Sequence, residues 1–154
     1  MQRIYFVGDS NTVLDFTIRE AVKYVNKITK SSVTCEAKTE YNPEEQGIWI
    51  CSPRTISDIT YDEWDDAISI KAVPGHVRIS GTNDRSVLFA LYDWLEELGC
   101  RWIMPGRGGE IIPFLKNPLL LRICKYETAS YRHRCICIEG SCSKEHVLNM
   151  ADFA

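Results

Sequence analysis

Hydrophobic positions along the chain follow two periods, one near two residues and one near 3.6. "RIYFV" (3–7) is a short β-branched and aromatic run ending at Gly8, which predicts a buried strand. "DSN" then offers side-chain oxygens to cap a helix starting at about Thr12. From there Leu14, Ile18, Ala21, Val25 and Ile28 recur at helical spacing and form one stripe suited to a core. Lys23, Lys27 and Lys30 lie toward the end of this helix, where its dipole favours cations. "SVTCEA" (32–37) and "IWICS" (48–52) predict two more strands, separated by the polar loop "KTEYNPEEQG" (38–47) with its proline and glycine.

An irregular acidic stretch, "PRTISDITYDEWDD" (53–66), precedes two runs of period two. Ile68, Ile70 and Ala72 alternate with Ser69 and Lys71; after Pro74-Gly75, Val77 and Ile79 alternate with His76, Arg78 and Ser80. This predicts a hairpin, 68–73 with 76–80, in which each strand has one wet face. Asn83 or Asp84 can cap the next helix, 84–98. Val87, Leu91, Trp94, Leu95 and Leu98 fall on one side of it, Leu88 and Tyr92 widen the stripe, and Gly99 stands where a left-handed terminating residue is wanted. "CRWIM" (100–104) predicts a strand stopped by Pro105-Gly106, Ile111–Pro113 a short strand or turn, and Leu119–Cys124 an extended run. "RCICIEG" (134–140) has a buried-strand pattern, and Ser143 caps a helix with Glu145 in its first turn.

Length and composition describe one soluble globular domain: 154 residues, 45% hydrophobic and 25% charged. The net charge of −3 is spread along the chain, so there is no basic stripe to hold nucleic acid. No apolar run approaches the ~18 residues of a membrane span. "MQRIYFVGDSN" reaches polar residues too soon for a signal peptide, which gives a cytoplasmic expectation. Seven cysteines at irregular spacing predict reduced, mostly buried thiols rather than a disulfide framework.

Two stretches carry a resemblance to a known group of enzymes. They are "RIYFVGDSN…FTIREAVKYVNKITKSSV" and, more specifically, "ISGTNDRSVLFALYDWLEELGCRWIMPGRGGEIIP". Residues 1–113 resemble the small α/β domain that precedes the catalytic barrel in family 20 hexosaminidases, family 67 α-glucuronidases and related bacterial proteins. The family form runs Gly-x-x-x-Arg-Gly, an apolar helix, Gly-Cys/Val-Arg-Trp, Pro-Gly and Glu-x-x-Pro. Here Ser86 stands where the family has glycine after the arginine.

The resemblance implies a mixed sheet packed by two main helices, with residues 1–130 as the accessory domain. "RHRCICIEGSCSKEHVLNMADFA" looks like the first βα unit of a (β/α)8 barrel, so 131–154 would begin a catalytic domain. The chain is then a non-catalytic domain supporting a barrel that follows it, and inactive by itself. The alternative is a stand-alone carbohydrate- or protein-binding module. No cofactor is expected. Partners would be the barrel and, for the whole enzyme, a carbohydrate. Ile136, Ile138, Val147, Leu148, Met150 and Phe153 of the tail could pair copies into a homo-oligomer.

Candidate chemistry is sparse. Glycoside hydrolysis needs two carboxyl groups ~5 to ~9.5 Å apart across the scissile bond. The acidic runs "YDEWDD" (61–66) and "LEEL" (95–98) read instead as a solvated loop and a polar helix face. His133, Cys135, Cys137, Cys142 and His146 include zinc-type ligands, but Cys135 and Cys137 alternate along a strand and form no Cys-x-x-Cys knuckle, so no metal site is assigned. Glu139, at the C-terminal end of the first barrel strand, is the one candidate substrate contact, and only in the full-length enzyme. Trp49 and Trp102 read as core and Trp64 as exposed. "GRGG" (106–109) is not set between a strand and a helix, as phosphate loops are.

Overall fold

A computed structural model of the protein describes residues 2–104, 107–134, 143–145 and 148. The elements are β1 (Ile4–Val7), α1 (Thr12–Thr29), β2 (Cys35–Lys38), β3 (Gly47–Cys51), β4 (Ala67–Val73), β5 (His76–Gly81), α2 (Asp84–Glu97), β6 (Arg101–Trp102), β7 (Glu110–Ile111) and β8 (Ile123–Thr128). The main sheet has six strands in the order β2-β1-β3-β5-β4-β8. β2, β1, β3 and β5 are parallel to one another, while β4 is antiparallel to both β5 and β8. The fold is therefore the mixed α/β sheet with two main helices that the sequence predicts. The predicted barrel strand, Glu139 and most of the tail lie outside the described residues; Lys144, Glu145 and Leu148 are helical.

Local signals set both helices. Asn11 caps α1 by accepting from the amides of Val13 (3.0 Å) and Leu14 (3.1 Å), and Asn83 caps α2 by accepting from Ser86 N (3.0 Å). α2 ends in a Schellman motif: Gly99, at φ +101°, donates to Glu96 O and Cys100 donates to Leu95 O. Both helices lie on the same face of the sheet. There Leu14, Ala21, Val25, Ile28, Val87, Leu91, Trp94 and Leu95 pack against Ile4, Phe6, Ile48, Ile50, Ile70, Val77 and Ile79.

The opposite face departs from the prediction. β5 is buried along its whole length, so His76, Arg78 and Ser80 do not face water. Parallel central strands need cover on both sides, and here the loops 39–46 and 52–66 supply it. Tyr5, Val7, Trp49 and Cys51 form a second, smaller core with Tyr41 and Ile56 from those loops. Two predicted extended runs also change. "CRWIM" contributes only Arg101–Trp102 to a ladder, paired with β7, and Leu119 lies in a 3₁₀ turn (Pro118–Leu120), so β8 starts at Ile123 and runs to Thr128.

Gly81 is where the strand and the first turn of α2 come closest. A β-carbon there would lie 2.4 Å from Ser86 Cβ and 2.9 Å from Val87 N. Gly81→Ala should therefore destabilise the fold by about 2 kcal/mol through overpacking, read as a lower urea midpoint at unchanged m-value.

Candidate functional site

The carboxyl ends of β1, β3 and β5 meet the N-termini of both helices, the end of an open α/β sheet where ligands tend to bind. The two helix starts touch here, the α1 cap Asn11 donating from Nδ2 to Oδ2 of Asp84, the first residue of α2, at 2.9 Å. Asp66, at the close of the acidic loop, is the centre of the arrangement. Its side chain is 6% exposed, and Oδ1 accepts from Asn83 Nδ2 (2.8 Å), Arg85 NH2 (3.0 Å) and Ser86 Oγ (3.3 Å). Its Oδ2 pairs with Arg134. The loop is further bound by Asn83 Nδ2 to Asp62 O (3.0 Å), Thr82 Oγ1 to Asp65 O (2.7 Å) and Arg85 NH2 to Glu63 O (3.1 Å). The expectation of a solvated acidic loop holds for residues 61–65 and fails for Asp66. Ser86 uses its hydroxyl to join this network.

A cavity of about 330 Å³ lies beside Asp66, lined by Ile68, Phe89, Tyr92, Asp93 and Arg134 among others. Asp66 is saturated as described, whereas Asp93 pairs only its Oδ1 with Lys125, at 2.7 Å, and leaves Oδ2 buried without a hydrogen-bond partner. The carboxyl groups displaced from their ordinary values are moved down, whereas a glycosidase acid is moved up. A hydrogen bond from Arg78 (2.7 Å) holds Asp58 at about 2, against partial burial and with help from Lys71. A hydrogen bond from Arg132 lowers Asp65. Burial raises Glu110, but hydrogen bonds from Lys27 and Tyr24 outweigh it.

The far end of α2 is structural. Arg101 NH1 donates to Glu96 O and Cys100 O, both at 2.6 Å, satisfying carbonyls at the helix end. Tyr24, Tyr92 and Trp102 pack edge to face, with ring centroids 5.1–6.3 Å apart. Trp102 Nε1 donates to Tyr24 OH (2.8 Å), Tyr24 OH to Glu110 Oε1 (2.9 Å) and Tyr92 OH to Glu20 Oε2 (2.6 Å). Burial pushes Tyr24 up to about 12 and raises Tyr92, next to Glu20, further. A third network lies under the loop-covered face. His76 Nδ1 is 2.9 Å from Glu45 O, which also accepts from Trp49 Nε1 (3.0 Å), and His76 Nε2 is 2.8 Å from Tyr41 OH. The backbone carbonyl can only accept, so Nδ1 carries a proton in this contact.

The predicted residues are thus dispersed. Trp49 is fully buried, Trp102 is half-buried against the main core, and Trp64 is 60% exposed. Among the described residues no group of three or more His, Cys, Asp or Glu could hold a metal. His133 is exposed, and Cys135, Cys137, Cys142 and His146 lie outside the described residues. No helix among the described residues is long and apolar enough to cross a membrane. Sequence reasoning missed Asp66, Asp58 and Arg78. The spacing from Asp66 to Asn83 and from Asp58 to Arg78 has no periodic signature, since both contacts are made across a turn of the chain. The near-consecutive aspartates of "YDEWDD" gave no sign that one differs from the others.

No family model matches the chain, and no curated protein matches it. Among solved structures, a GH138 enzyme targeting pectin rhamnogalacturonan II is similar over 64% of this chain, at 13% identity and a TM-score of 0.44. The matched part spans 10% of that enzyme's length.

Two measurements check this description. Burial raises Cys51 to about 12 and Cys35 and Cys100 to about 11, whereas Cys124 is exposed on β8. Brief alkylation of the native protein at pH 8 followed by peptide mapping should therefore label Cys124 well ahead of Cys51 and Cys100. Asp58 has a folded value below its ordinary one, so its pairing stabilises the fold fully above the ordinary carboxylate range. That contribution is lost as pH falls toward about 2. Asp58→Asn should be less stable than the native protein at pH 7, by less than about 1 kcal/mol because the carboxylate is 39% exposed. The difference should close by about pH 2 in urea titrations.

Proposed function

We propose that this chain is a non-catalytic α/β accessory domain of a carbohydrate-active glycoside hydrolase, residues 1–130, supporting a catalytic (β/α)8 barrel that begins within 131–154. The observation that carries the reading is the use made of the signature residues. Arg85 binds the acidic loop, Gly99 terminates α2, Trp102 and Glu110 hold the β6–β7 ribbon to α1, and Pro113 packs beside Gly99. Each is spent on scaffold and none converges on a cleft, which fits a domain that positions another one. In this reading the catalytic carboxylates belong to the barrel, Glu139 contacts substrate at the C-terminal end of its first strand, and the carbohydrate is the substrate of the whole enzyme.

The experiment is a panel of aryl glycosides and aryl uronides incubated with this chain. No turnover above background is expected; robust turnover that co-purifies with the chain would sink the non-catalytic reading. Barrel periodicity in the reading frame beyond Ala154 is expected as well.

One observation favours a second reading, a carbohydrate-binding module. Trp64 (60% exposed) and Tyr61 (40%) stand outward on a bound loop, Arg54 lies 3.9 Å from the Tyr61 ring centre, and aromatic faces can stack on sugars. Affinity electrophoresis through polysaccharide gels would separate the two readings. Retardation of the native chain that disappears in Trp64→Ala would favour the module, and equal mobility of the two proteins is expected of the accessory domain.

A further inference from the structure

The segment after β8 runs back along the acidic loop instead of leaving the domain directly. Ala129 N donates to Asp66 O at 2.8 Å. Three residues on, Arg132 forms a two-pronged contact with Asp65, Nε to Oδ1 and NH2 to Oδ2, both at 2.7 Å. Arg134 pairs with Asp66 Oδ2 and places its guanidinium 5.5 Å from the ring centre of Phe89 on α2. In an extended chain residues two apart face the same way, and here Arg132 and Arg134 both turn to the loop while His133 between them is exposed.

The two acceptors are unlike. Asp65 has a side chain 58% exposed, so its pair with Arg132 is open to water and salt. Asp66 is buried and already fixed on one oxygen by Asn83, Arg85 and Ser86 of the α2 terminus, leaving the other oxygen for Arg134. The position of Arg134 is therefore tied through one carboxylate to the helix that packs on the sheet.

We propose that Asp65 and Asp66 form a docking site for the Arg-x-Arg segment 132–134, and that this strap sets the direction in which the chain leaves the sheet domain. It deepens the accessory-domain reading, on which it rests for its purpose: a domain that buttresses another needs a stiff junction, and flexible connections leave domains free to move. Asp66 holds the junction and Asp65 guides it. The residue pattern required is an acidic pair ending the loop before β4, facing alternate arginines after β8.

Limited trypsin digestion of the whole chain tests the strap, because Arg132 and Arg134 must release their carboxylates to enter the protease. Cleavage at each is measured by mass spectrometry relative to Lys116, which is exposed and remote from the loop. Asp65→Ala should speed cleavage at Arg132 about two- to fivefold, the range of an exposed ion pair. Arg134→Gln should speed cleavage at Arg132 about tenfold, since it removes a hydrogen bond to a buried charge. Near 1 M salt, native cleavage at Arg132 should approach that of Asp65→Ala. Thermal unfolding serves as a control; if one variant loses its fold, the other decides. Cleavage at Arg132 as fast as at Lys116 in the native chain, or unchanged in the folded variants, would overturn the proposal. Turnover in the glycoside panel would overturn the accessory reading and leave these rates as they are.

Discussion

Three adjacent parallel strands, β1, β3 and β5, must be covered on both faces, and the two long helices among the described residues both lie on the same face. Most other features follow from this constraint. Backbone and side chains in the middle of a parallel sheet cannot be left to water without losing the burial that holds the sheet together. The loops 39–46 and 52–66 must therefore be ordered enough to act as a layer. Because their residues are polar, they bind by hydrogen bonds and ion pairs more than by apolar contact.

The networks under these loops meet that requirement. Glu45 turns its backbone carbonyl to both Trp49 and His76, Asp58 neutralises the buried Arg78, and Asp66 takes the free donors around the start of α2. Each pairs a group on a strand or helix with a partner on a loop. The cost of burying Arg78 and Asp66 is offset only if these partners stay in place. The loops are consequently bonded into the domain as a layer. Their outward side chains, Tyr61, Trp64 and Asp65 among them, are presented in defined positions.

The same logic describes the opposite end. The β6–β7 ribbon has only two residues per strand and could not persist alone. Trp102 and Glu110 tie it to Tyr24 on α1 through hydroxyl, indole and carboxylate groups half shielded from water. Residues that would suggest chemistry from their types alone, two acids, two tyrosines, a tryptophan and two lysines, are occupied with one another.

What the sequence by itself determined was local. The start and end of both helices, the Schellman turn at Gly99, the hairpin over Pro74-Gly75 and the strands β1 and β3 rest on caps, turns and periodicity within a few residues, and all are legible in the letters. Only the tertiary structure decided the order of the strands, the burial of the second face of β5, the shift of β8 to Ile123–Thr128 and the difference between Asp65 and Asp66. These depend on which distant segment lies opposite. Arg78 looks like the wet face of a hairpin until the 52–66 loop folds over it, and β8 takes its register from β4, more than fifty residues earlier in the chain. Hydrogen-bond registry and the covering of a face are properties of pairs of segments, and no window along a single chain contains both members.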